Sequence, residues 1–123
     1  MKGFRFLEWG VYKDAKKLFH EILKIVHVLP KEHRYEVGSQ VIRSALSVVL
    51  NIAEGSGKSS DKELSHFFNI ALGSIYETLA ALDVLKDNKL IEEATFEVLS
   101  KECESIANQI GGFKKKIRKD LSL

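Results

Sequence analysis

The chain has 123 residues, 45% of them hydrophobic and 29% charged, a length that buries roughly two-thirds of the unfolded surface in one core without disulfides or metals. A single cysteine, Cys103, excludes a disulfide framework and suits a reducing, cytoplasmic setting, while one proline and eight glycines exclude collagen-like, linker-like and turn-rich β chains. The net charge of +2 hides a segregation: positions 1–60 hold 10 Lys/Arg against 6 Asp/Glu, 61–110 hold 4 against 10, and 111–123 hold 5 against 1, a bipolar pattern suited to self-association or to an acidic partner at a basic end.

Helical periodicity runs through the whole chain. Val11, Ala15, Leu18, Ile22, Ile25 and Leu29 step by four and three, which predicts a first helix from Glu8 to Val28. It stops before Pro30, because the residue preceding a proline avoids the α region. A second helix carries Val41, Ala45, Val48 and Ile52, flanked by Ile42, Leu46, Val49 and Ala53. Its apolar residues cover more than one face, so it is either central in its bundle or covered by another subunit. Gly55-Ser56-Gly57 is expected to end it with a left-handed cap. Ser60-Asp61-Lys62-Glu63 fits a capping box and opens a third helix with Leu64, Phe68, Ala71, Ile75, Thr78, Leu82 and Leu85 on one stripe, broken at Asp87-Asn88. The fourth carries Leu99, Cys103, Ile106, Ile110, Phe113 and Ile117, with Glu92 and Glu93 at its start and basic residues at its end, both favourable to the helix dipole. Short connectors between long helices make neighbours antiparallel, which predicts an all-α, up-down-up-down four-helix bundle as a single domain over 1–123.

Motifs of chemistry are sparse. Glu63-Leu64-Ser65-His66 has the E-x-x-H spacing of di-metal bundles, but such a site needs two copies and two further glutamates. His20 and His27 lack accompanying ligands, so no metal or other cofactor is expected. Cys103 falls in an apolar stripe, where a thiol acts as a small hydrophobe. Gly55-Ser56-Gly57-Lys58-Ser59 follows a helix rather than a strand and lacks the spacing of a phosphate loop. No catalytic residue is assigned, and the chain reads as a non-enzyme. No apolar run approaches the ~20 residues of a membrane span, so no membrane partner is expected.

Two polar features resist a simple packing account. Arg43, Ser47, Asn51 and Glu54 form one stripe on the otherwise apolar second helix. On the third, Gly73, Ser74 and Glu77 place small and charged residues mid-helix. A glycine there costs about 1 kcal/mol against alanine, and a close crossing of the second and third helices is the expected compensation. Separately, Lys114, Lys115, Lys116, Arg118 and Lys119, with Lys13, Lys16 and Lys17 of the first helix, form a candidate phosphate-attracting surface. No aromatic interleaving points to base stacking, so nucleic-acid contact through this tail is expected to be electrostatic.

Asn51-Ile52-Ala53-Glu54-Gly55, Glu63-Leu64-Ser65-His66-Phe67-Phe68-Asn69-Ile70-Ala71-Leu72-Gly73-Ser74 and Glu77, with Leu29-Pro30-Lys31-Glu32 and Gln40-Val41-Ile42-Arg43 upstream, resemble the four-helix bundle proteins encoded in intervening sequences of bacterial 23S rRNA genes, also called S23 ribosomal protein-like. Accessory variability proteins of diversity-generating retroelements are similar. This chain departs from the family in having Ser47-Val48-Val49-Leu50 where a proline often precedes the asparagine. The resemblance implies a homopentameric ring with a positively charged surface, and partners that are RNA or other nucleic acid, or a protein such as a reverse transcriptase. It implies a structural role for Arg43, Asn51, Glu54, Gly55, Gly73, Ser74 and Glu77. Two functions follow as expectations: an oligomeric RNA-binding module, or a protein–protein interaction module with no nucleic-acid role.

Overall fold

The computed structural model describes residues 3–121, with side chains as far as Lys116. Four long helices form an antiparallel bundle: α1 (Gly10–His27), α2 (Ser39–Ser56), α3 (Asp61–Asp87) and α4 (Glu93–Leu121). No strand occurs among the described residues. The helices pack in chain order around a square, with α2 and α3 in the most extensive contact and α1 and α4 in the least.

As far as the side chains are described, each stripe read from the sequence faces the core; Ile117 of the last stripe lies outside the described side chains. Val11, Leu18, Ile22, Val41, Ile52 and Phe68 are all essentially inaccessible, and Ile75, Leu82, Ile106 and Ile110 complete the interior. Ile25 is half-buried. By length and composition alone α3 could cross a bilayer, which corrects the expectation that no segment comes near a membrane span. Its Leu64, Phe68, Ala71, Ile75, Leu82 and Leu85 are instead buried against the other helices.

The connections follow from local chemistry. At the end of α1 the Val28 and Leu29 N–H groups bond back to Ile25 and Val26 at 3.2 Å, and Pro30 starts a short turn, Lys31–His33, that leads into a π-turn, Arg34–Gly38. A Cβ at Gly38 would lie 2.7 Å from Val26 Cγ1, so glycine lets this turn pass directly over α1. At the start of α3 the Glu63 N–H donates to Ser60 Oγ at 3.2 Å, the serine half of the expected capping box.

Two expectations about glycine are corrected. Gly57 does not provide a left-handed cap: its φ is −88°, and the α2 end closes through Gly57 N–H to Glu54 and Lys58 N–H to Gly55, both at 3.1 Å. Among the described residues other than glycine, positive φ occurs at Lys89, at 59°, in the turn after α3. There Leu90 N–H bonds to Leu85 at 2.9 Å and Lys89 N–H to Lys86 at 3.0 Å, the paired bonds of a Schellman motif. Nor does Gly73 mark the crossing of α2 and α3: a Cβ there would meet nothing within 4 Å. The close approach is at Gly55, where a Cβ would stand 3.1 Å from Leu64 Cδ1 and from Phe67 Cβ.

Candidate nucleic-acid interface

One end of the bundle gathers the start of α1, the end of α2, the start of α3 and the C-terminal part of α4. A 3-10 turn, Arg5–Glu8, folds across it. The Trp9 ring centroid lies 5.3 Å from Phe113 and 6.2 Å from Phe68, and Phe68 and Phe113 meet edge-on at 5.3 Å. This aromatic core fixes where the neighbouring cations stand. Arg5 Cζ sits 5.4 Å from the Trp9 centroid, and Arg5 Nη2 donates to the Ser56 carbonyl at 3.4 Å. Lys58 Nζ lies 4.9 Å from the Phe67 ring and Lys16 Nζ 4.9 Å from the Tyr12 ring. Lys114 follows Phe113 and is half-buried, while Lys115 and Lys116 are exposed. Arg118 and Lys119 lie outside the described side chains.

The lysines of α1 divide into two kinds. Lys13 pairs with Glu8 at 3.6 Å, Lys17 with Glu102 at 3.7 Å and Lys24 with Glu21 at 3.9 Å. Arg5, Lys16 and Lys58 enter no ion pair among the described residues. Exposed pairs are weak and screened by salt, yet each still lowers the field a phosphate would meet. The bundle end thus holds cations that no carboxylate pairs, although Glu54 at the end of α2 and Asp61 and Glu63 in the first turn of α3 moderate their field. Arg5 and Lys58 were not singled out from the sequence. Arg5 joins the surface only when the turn Arg5–Glu8 folds over the end of α2, where it bonds to Ser56, 51 positions away in the chain, and Lys58 joins it from the connection between α2 and α3.

The opposite end is acidic. Asp83, Asp87, Glu92, Glu93 and Glu97 are all exposed there. Lys86 pairs with two of them, 3.0 Å from Asp83 and 3.9 Å from Asp87, and the hydrogen bond it donates to Asp83 raises its pKa above the ordinary lysine value. A concavity of about 670 Å3 opens at this end, lined by Lys86, Asp87, Glu92 and Glu93 among others, and its carboxylates make it a poor phosphate site.

The family-motif residues fall along the outer seam of α2 and α3. Ser47 and Ser74 share a 2.8 Å hydrogen bond, and Asn51 Nδ2 donates to the Ser47 carbonyl at 2.8 Å and to its hydroxyl at 3.1 Å. Deeper in, Thr78 Oγ1 sits 2.8 Å from both Ser44 Oγ and the Ser74 carbonyl oxygen. The Ser47–Ser74 and Ser44–Thr78 pairs thus join the two helices, Asn51 braces Ser47 from within α2, and Gly55 lets the helices close. Arg43, Glu54 and Glu77 are exposed and form no ion pair among the described residues. They lie beside Leu46, Leu50 and Ile70, which are 36%, 53% and 39% exposed.

The other candidate chemistry is dispersed. His20, His27 and His66 are exposed, and among the described residues no three His, Cys, Asp or Glu side chains come together as metal ligands. Cys103 is buried, and desolvation, followed by the charge of Glu102, pushes its thiol up to about 11.

The sequence pattern of the 23S rRNA-intervening sequence protein family matches residues 8–112. Among solved structures, the chain is similar to a crystallised protein of unknown function from the S23 ribosomal protein family of Bacteroides thetaiotaomicron. The two share 21% sequence identity and superpose with a TM-score of 0.80, covering 85% of this chain and 98% of that one. No curated protein matches the chain significantly.

Proposed function

The chain belongs to the 23S rRNA-intervening sequence protein family, and from that premise we propose that it is a non-enzymatic, self-assembling module that binds RNA through the basic end of its bundle, in the cytoplasm. The observation that carries this reading is the placement of Arg5, Lys58 and Lys114–Lys116 at one end of the helices, with Arg5 and Lys58 unpaired by carboxylates, while the cluster Asp83, Asp87, Glu92, Glu93 and Glu97 stands at the other end. Lys and Arg contacts to phosphates release condensed counterions, so such a surface binds RNA without reading its sequence. Self-assembly strengthens weak contacts of this kind, because every added copy presents the same end to a single RNA. A cyclic homopentamer, the assembly implied by the family resemblance, would present five such ends.

The test is replacement of Lys114, Lys115 and Lys119 with glutamine. The variant is expected to fold as wild type, to bind structured RNA more weakly, and to show a shallower dependence of affinity on salt, since fewer counterions are released. The second reading, a module that binds only proteins, draws on the apolar and charged seam of α2 and α3. RNA affinity identical to wild type at every salt concentration would favour it.

A further inference from the structure

The basic end carries aromatic rings as well as cations, a combination absent from the sequence-based expectation of a purely electrostatic surface. The turn Arg5–Glu8 is fixed by Leu7 N–H to Phe4 at 3.2 Å and Trp9 N–H to Phe6 at 3.0 Å. It holds Phe4 at the rim with half of its surface, 53%, exposed. The Phe4 ring touches Phe6 edge-on at 6.5 Å, and Phe6 meets Tyr12 edge-on at 4.9 Å, so an inner aromatic layer supports Phe4 while leaving much of it open. Arg5, the next residue, lies over Trp9, and Lys58 covers Phe67 on the far side of the same end.

We infer that this rim takes an unpaired base of single-stranded RNA, which stacks on Phe4 while the adjoining phosphates lie on Arg5, Lys58 and the Lys114–Lys116 run. The inference rests on the RNA-binding reading above and narrows its ligand. A duplex offers phosphates to such a surface but keeps its base faces stacked inside, whereas a single strand offers both. Exposed phenylalanine beside cations is the composition by which sequence-tolerant single-strand binders work, because every base has a π face. Phe4 has no charge to contribute, so its share of affinity is separable from that of the lysines.

The experiment measures fluorescence anisotropy of a short oligouridylate and of a duplex RNA hairpin closed by a non-nucleotide linker, so that it has no unpaired base, each across a salt series, with wild-type protein and Phe4→Ala. Helical circular dichroism confirms that the variant folds. Wild type is expected to bind the single strand more tightly than the hairpin. Phe4→Ala is expected to lose about tenfold in affinity for the single strand, with an unchanged salt slope and unchanged hairpin binding. Equal single-strand affinity of variant and wild type, or preference of wild type for the hairpin, would overturn the inference while leaving salt-dependent RNA binding intact. Absence of binding to both RNAs would overturn it together with the reading on which it rests.

Discussion

Cys103 shows how far one residue's chemistry is set by its position in the bundle. Its stripe partners Leu99, Ile106 and Ile110 are as buried as it is, and desolvation raises the thiol from 9.0 to about 11. The folded protein therefore retains this proton at a pH where the unfolded chain releases it. Stability from this group is full below pH 9.0 and is lost as pH climbs toward about 11, a change of at most about 3 kcal/mol. Chemical denaturation across that range should show the decline, and Cys103→Ala should flatten it despite its lower starting stability. A decline of the same size in the alanine variant would assign the effect to other groups. The burial of Cys103 was legible because one residue in a four-three stripe has a determined side. Gly55, Gly57 and Gly73 were not legible in the same way. A glycine records that a side chain is missing, but not whether a neighbouring helix, a turn or open solvent occupies the space.

At the scale of elements, α1, α3 and α4 could be placed from their periodicity, their caps and Pro30, all of which act within a few residues. The π-turn before α2 could not, since it follows from the passage of Gly38 over Val26, nor could the left-handed Lys89, since its Schellman turn is closed by backbone bonds and carries no glycine to mark it. The breadth of apolar residues on α2 did carry a message. Val49 is buried and Ile42 and Ala53 are partly covered by their neighbours, whereas Leu46 and Leu50 remain exposed. Next to them stand Ile70 and a glycine, Gly73, with open space around its Cα. Glycine in an exposed helix interior costs about 1 kcal/mol against alanine, and contact with another copy along this seam would compensate it. Two substitutions address that contact by light scattering. Leu50→Glu should preserve helicity while reducing an oligomer to the 13.9 kDa chain. Gly73→Leu should melt no lower as an isolated bundle, yet weaken assembly by occupying the space a neighbour needs. Full oligomeric mass in both variants would place the contact on another face.

For the whole molecule, the bundle topology converts a charge pattern along the chain into a polarity in space. The basic first and last segments and the acidic stretch between them cannot be assigned to ends of a bundle until the helices are known to alternate in direction. Alternation then brings Arg5, Lys58 and Lys114–Lys116 together and sends Asp83, Asp87, Glu92 and Glu93 to the far end. The tail lysines were legible as a run. Their companions were not, because Arg5 joins them only through the turn at the start of the chain and Lys58 only once the end of α2 is placed in the bundle. The claim that this end receives RNA is tested most directly by ultraviolet cross-linking of bound RNA to the wild-type protein, followed by mass-spectrometric mapping of the linked residues. The account predicts cross-links at Phe4–Trp9, around Lys58 and at Lys114–Lys116. Cross-links concentrated between Asp83 and Glu97, or spread evenly along the helices, would contradict it.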